Sequence, residues 1–362
     1  MERLAPLPWQ SALWDQLAGW RDRLPHAVLL HGGRGIGKRH VAQAFAQLLL
    51  CESPRSAQAC GTCASCQLIA ADNHPDFRWL MPAADMPSRA DEAGDLDEGR
   101  EAVEEQATGG KPKKLPSREI VIDQVRRISD FLGVSSHRGG RRVVLLAPAE
   151  ALNGPAAHAL LKMLEEPPAG AVFLSVSDQI DAVLPTIRSR CVLVRVPAPP
   201  WAEALGWLRG QGVEDAESRL AEAGGAPMGI VDEDTVDARR RLDPGLREAF
   251  LTLLARGAAS TAADVVAVVP REVAVGPAIR LFQRWGWDLL GERLAQRVRY
   301  HPGHKRALTT LARAVDPPRL VDWLATLDEA QAVSEHPLNA RLAVEQALLG
   351  YLDAMQGAAT NR

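Results

Sequence analysis

Gly32-Gly33-Arg34-Gly35-Ile36-Gly37-Lys38 supplies the glycine and lysine part of G-x-x-x-x-G-K-[ST]. Glycines let successive backbone N–H groups turn toward phosphate oxygens, and the helix that follows offers its positive end. Lys38 would reach the outer phosphates as a point charge. The next residue should carry a hydroxyl for Mg²⁺, but it is Arg39. A guanidinium only donates hydrogen bonds and cannot ligate a cation. The carboxylates that hold Mg²⁺ and activate water are missing too. The apolar run Val143–Leu146 leads into Ala147-Pro148-Ala149-Glu150, with its only acid past the strand end. Glu150 reads as a residue of a helix N-terminal turn. Gly32, Gly35, Gly37 and Lys38 are therefore candidate contacts of a degenerate phosphate loop, with no ATP or Mg²⁺ chemistry expected. The plainer alternative is a glycine-rich turn that holds no nucleotide.

Cys51, Cys60, Cys63 and Cys66 form C-x8-C-x2-C-x2-C. Four thiolates in so short a span can close tetrahedrally around Zn²⁺, and a site without an open position is structural. The alternative, a set of free thiols, fits poorly with four of the five cysteines falling in one window. Cys191 stands apart at the head of an apolar run and reads as a buried small hydrophobe.

The elements that must position these groups follow from the apolar pattern. Ala27–Leu30 reads as a strand, and VAQAFAQLLL after the loop as an amphipathic helix, the context a phosphate loop requires. From about Ala83 to Pro116 the chain is rich in Asp, Glu, Gly, Ala and Pro and reads as a disordered insertion. REIVIDQVRRISDFL has helical spacing at Ile122, Val125, Ile128 and Leu132. The charges at Arg138, Arg141 and Arg142 read as a solvated turn. ALNGPAAHALLKMLEEPP is a helix closed by its proline pair, while Val143–Leu146, Ala171–Val176 and Cys191–Val196 are apolar throughout. Alternating strands and helices imply an α/β fold with a parallel sheet covered on both faces. From Trp201 onward the pattern is helical. The expected domains are 1–198, with the cysteine module at 51–66, a small helical domain at 199–242, and a larger all-α domain at 243–362.

The chain has 362 residues, 46% of them apolar, with a formal charge of -3. This composition suits a globular protein and argues against one that coats nucleic acid unaided. The N-terminus is broken by proline and charge, and no run is long enough to span a membrane, so a cytoplasmic protein is expected.

Several strings coincide in order and spacing: ALLKMLEEPP (Ala159 to Pro168), Ser189-Arg190-Cys191, the four-cysteine module inside a phosphate-loop domain, and AGGAPMG (Ala223 to Gly229). Together they resemble bacterial DNA polymerase III clamp-loader subunits, over residues 1 to about 240. The resemblance implies an AAA+ fold of P-loop domain, helical lid and helical collar, the collar building a hetero-pentameric ring. It implies motor (gamma/tau-type) and delta subunits, the sliding clamp and primed DNA as partners, in a replisome-associated DNA polymerase holoenzyme. Arg39, Pro148 and Ala149 place the chain with the non-motor type, which has no independent activity. Met228 stands where the family's sensor arginine would fall, a further loss. Arg190 is then the arginine finger, reaching ATP bound by a neighbouring motor subunit. Arg188 nearby reads as an ordinary surface ion pair. Ser177 falls at the sensor position after a strand, its role vestigial. Arg126 and Arg127 flank an apolar helical stripe, either meeting template phosphates or forming a solvated face.

Three competitors remain. An ATP-hydrolysing motor subunit is opposed by Arg39 and the absent carboxylates. A self-contained P-loop kinase or hydrolase needs the same missing groups. A stand-alone zinc nucleic-acid module would be expected to carry a basic surplus.

Overall fold

A computed structural model describes residues 4–21, 23–86, 117–134, 136–138, 140–235, 242–333 and 339–356. The chain divides into two compact units, Met1–Ala198 and Pro199–Arg362.

The first unit holds one parallel sheet: β1 (Ala27–His31), β2 (Phe77–Leu80), β3 (Arg142–Leu146), β4 (Ala171–Ser177) and β5 (Val192–Arg195). The strand order is β2-β3-β4-β1-β5, all pairs parallel. The connection from β1 runs toward β2 and that from its neighbour β4 runs the other way to β5, so the C-terminal ends of β1 and β4 flank a topological switch point, where such sheets place ligand loops.

Side chains alternate along the strands. Val28, Leu30, Val143, Leu145, Val172 and Leu174 join one core, with Leu13, Trp14, Leu17, Val41 and Phe45 of α1 (Ser11–Gly19) and α2 (Lys38–Leu50). Ala27, Leu29, Val144, Leu146 and Phe173 join a second core on the opposite face. There they meet Val125, Ile128 and Leu132 of α4 (Ile122–Gly133) and Leu160 and Leu164 of α5 (Gly154–Glu165). The short helices α3 (Ala64–Ala70) and α6 (Pro185–Arg188) complete the unit.

Two expectations change. β2 was not expected: it is four residues with Arg78 and Trp79 at its centre, too short and too polar to signal itself. β5 is a strand but not a covered one. Val192, Leu193 and Arg195 are exposed and only Val194 is buried, because β5 is the sheet edge. The insertion expected from about Ala83 lies, from residue 87 to 116, outside the described residues. Its two flanks meet, where the Ala84 N–H donates to the Ser117 carbonyl at 3.0 Å.

The second unit is all-helical over its described residues. α7 (Trp201–Gly210), α8 (Ala216–Glu222) and α9 (Pro227–Thr235) bury Ala204, Leu208, Leu220 and Ile230 together. A larger core joins α10 (Pro244–Arg256), α11 (Ala262–Val268), α12 (Val275–Ala295), α13 (Lys305–Ala314), α14 (Pro317–Val333) and α15 (Ala340–Gln356). α12 and α14 approach closely at Gly286, where a Cβ would stand 2.7 Å from Leu324 Cδ2. Met228 lies in α9. Among the described residues no helix is long and apolar enough to cross a membrane.

Candidate functional site

The glycine loop connects β1 to α2. Gly35 (φ 73°) and Gly37 (φ 92°) adopt left-handed backbone, and a Cβ on Gly32 would stand 2.8 Å from the Val196 carbonyl. Only glycine fits these positions, so the motif's geometry is intact.

Its chemistry is turned inward. Lys38 is 3% exposed, and its Nζ lies 2.6 Å from Asp178 Oδ1. The same ammonium donates to the Gly33 carbonyl. Trp9 Nε1 donates to the Ile36 carbonyl at 3.0 Å, and Gln10 Nε2 to the Gly37 carbonyl at 3.0 Å. The N-terminal segment therefore clamps the loop's backbone from behind. Arg39 is exposed and lies over the Trp79 ring, 5.9 Å from its centroid.

Glu150 has a more specific task than a place in a turn. Its Oε1 accepts from the Asp178 N–H at 2.9 Å and the Gln179 N–H at 3.3 Å. The acid beyond β3 thus shapes the turn after β4, and that turn presents Asp178 to Lys38. Ser177 is fully buried and its Oγ accepts from the Gln179 N–H at 3.1 Å. His31, at the end of β1, is held below the usual histidine value, first by burial and then by Arg195 and Lys38.

Arg190 presents the opposite picture. It follows α6 and is 34% exposed. Its Nη1 donates to the Thr186 carbonyl at 2.9 Å and to Ser189 Oγ at 3.4 Å, and its Nη2 to Glu165 Oε1 at 2.5 Å. Arg188 pairs with Asp181 at 3.3 Å, and Asp181 is 96% exposed. Cys191 is half-buried, its thiol pushed up to about 11 by burial.

The four cysteines converge, with all Sγ atoms within 4.8 Å of one another. Cys51 and Cys63 are 4.0 Å apart, Cys60 and Cys66 3.9 Å. A tetrahedron with metal–sulfur bonds of about 2.3 Å has a sulfur–sulfur edge of about 3.8 Å, so the cluster has the dimensions of a metal site. Backbone N–H groups of Thr62 and Cys63 lower the Cys60 thiol to about 6. Burial raises Cys51 and Cys66. The module is tied to the sheet domain. Trp14 Nε1 donates to the Ala57 carbonyl at 3.1 Å, and Glu52 takes Ser65 Oγ at 2.8 Å and an ion pair from Arg138.

Residues 10–200 match the family described as DNA polymerase III, delta subunit. The chain belongs to that family. It is 43% identical over 225 residues to DNA polymerase III subunit delta' of Pseudomonas aeruginosa, covering 61% of this chain and 59% of that one. It is 30% identical over 243 residues to the delta' subunit of Escherichia coli K12, covering 65% and 64%. The alignments thus span less than two thirds of these relatives' length. The crystal structure of a DNA polymerase III gamma subunit-related protein from Thermotoga maritima is similar over 95% of this chain and 99% of that one, with a TM-score of 0.48 and 19% identity.

Lys38, the four cysteines and Arg190 all lie within the span that matches the delta-subunit family. Arg126 and Arg127 are exposed on α4, and Arg126 pairs with Asp123 at 3.1 Å. The expected solvated turn holds at Arg138, which is exposed in a turn, but not at Arg142. Arg142 is buried and donates to the carbonyls of Leu132, Val134 and Ala169, closing the C-terminal end of α4. Arg141 donates to the Arg21 carbonyl at 2.5 Å. Asp178 and Glu165 were missed as partners. Asp178 had a signal, being an acid directly after an apolar strand. Glu165 stood inside a string already singled out, without a partner to give it meaning.

Proposed function

We propose that the chain is the delta-prime-type, non-hydrolysing subunit of a DNA polymerase III clamp loader. It works beside motor (gamma/tau-type) and delta subunits in loading a sliding clamp onto primed DNA. One observation carries this reading: the lysine that should meet phosphate is spent inside the chain, while the arginine of Ser-Arg-Cys stays accessible. Lys38 is paired with Asp178, Arg39 lies over Trp79, and Glu150 Oε1 accepts from backbone amides, so the groups around the loop are committed to contacts within the chain. Arg190 presents a guanidinium to the outside, the fork that suits a transferring phosphate on a neighbouring subunit. Its role is an arginine finger in trans, and Gly32, Gly35, Gly37 and Lys38 form a structural turn. The domain division is lid at 199–242 and collar at 243–362.

The four cysteines would hold Zn²⁺, which would supply structural closure of the 51–66 module and no chemistry. Elemental assay should find about one zinc per chain; zinc-free, fully folded protein would remove that assignment.

The functional reading is tested by two assays together. The purified chain should hydrolyse no ATP. A loader reconstituted with Arg190→Ala should assemble normally and lose the ATP hydrolysis of the site that this chain serves. Hydrolysis by the isolated chain would favour the motor reading instead.

A further inference from the structure

The two strings that carry the family resemblance, ALLKMLEEPP and Ser-Arg-Cys, meet in space. Their meeting point is the contact of Glu165 Oε1 with Arg190 Nη2 at 2.5 Å. We infer that Glu165 is a positioning residue for Arg190, holding the guanidinium in the pose from which it reaches a phosphate on an adjoining subunit. This rests on the reading of Arg190 as a finger in trans.

Glu165 ends a rigid element. α5 starts at an Asn153 cap, whose side chain accepts from the Ala156 N–H at 3.0 Å, and buries Ala156, Ala157, Leu160, Met163 and Leu164. Pro167 and Pro168 stop it one residue further on. The carboxylate is thus delivered by a helix packed on the sheet. The loop that carries Arg190 is lighter: α6 has four residues, of which Ile187 is buried. Thr186 and Ser189 hold Nη1 of the guanidinium from within the loop, and Glu165 holds Nη2 from outside it. A long, rotamer-rich side chain is thereby fixed from two sides. Arginine has five N–H donors, and these contacts engage three, leaving two for an incoming phosphate oxygen. Arg188 lacks this arrangement. Its partner Asp181 sits in a short turn and is 96% exposed, with no rigid helix behind it.

Arg190 is held but not sequestered, since it is 34% exposed and Glu165 49%. A carboxylate bond at that exposure exchanges readily for a more highly charged phosphate. Orientation that precedes the encounter lowers the cost of reaching the reactive geometry, so its loss should appear in kcat rather than in ATP affinity.

The test is a double-mutant cycle in the reconstituted loader, reading steady-state ATP hydrolysis with wild-type, Glu165→Gln, Arg190→Ala and doubly substituted chains. The hydrolysis that Arg190→Ala removes defines the component belonging to this finger. Glu165→Gln should lower that component about threefold or more with KM for ATP unchanged. It should do nothing further in the Arg190→Ala background, and Glu165→Asp should restore part of the loss. Gel filtration of each loader confirms equal assembly. Full activity of Glu165→Gln beside a defective Arg190→Ala overturns the positioning role and leaves the finger standing. Increased activity overturns it as well, since it makes Glu165 a restraint. No effect of Arg190→Ala removes the finger, and the positioning role with it.

Discussion

Lys38 and Arg190 each face one carboxylate at almost the same distance, 2.6 Å to Asp178 and 2.5 Å to Glu165. What differs is water. Lys38 is 3% exposed and Arg190 34%. A buried cation cannot lose its partner without stranding a charge, so Lys38–Asp178 acts as a permanent closure. An exposed pair contributes about 0–1 kcal/mol and can be traded for a better anion, so Arg190–Glu165 behaves as a holding position. The same bond, at two burials, separates a closed loop from an exposed edge.

The largest expected effect breaks the buried pair. Asp178→Asn should cost about 2–3 kcal/mol of stability in urea unfolding, because the buried Lys38 ammonium then faces only neutral acceptors at Asn Oδ1 and the Gly33 carbonyl. Adding Lys38→Met should recover much of that loss. An Asp178→Asn chain as stable as the wild type would erase the contrast between the two pairs.

Acid should sharpen the comparison by loosening the Lys38 end. His31 is held below its ordinary value in the folded chain, so the unfolded chain binds more protons. Stability should be unaffected well above pH about 6.5, fall as the pH drops through it, and level off below the folded value. His74 and His304 are lowered in the same direction, each chiefly by burial, and add to the slope. A His31→Gln chain should show a shallower decline in melting temperature between pH 7 and 5.

The smallest effect lies at the exposed pair. Glu165→Gln and Arg190→Ala should each shift stability by less than about 0.5 kcal/mol. Guanidinium chloride unfolding of the isolated chains measures this directly, and a loss of several kcal/mol would make the pair structural.

Much of this division was visible in the residues, but not the pairings themselves. β1, β3 and β4 announced themselves because both faces are buried, giving unbroken apolar runs. β5 has the same composition, and nothing in its residues says that one flank lacks a neighbour. The cysteine cluster was legible because its ligands lie close together in sequence. Arg142 was misread because a charged run does not reveal that the end of α4 supplies it with carbonyls. Asp178 and Glu165 acquire their roles only when the sheet order brings distant segments together, which spacing along the chain does not encode.

The central claim is that this chain acts on a neighbour's ATP through Arg190 and not on its own through Lys38. ATP hydrolysis by loaders reconstituted with Lys38→Met or Arg190→Ala chains, each confirmed folded and assembled, tests it most directly. The account predicts that Lys38→Met matches the wild type and Arg190→Ala falls below it. The reverse pattern, with loss at Lys38→Met and none at Arg190→Ala, would contradict the account.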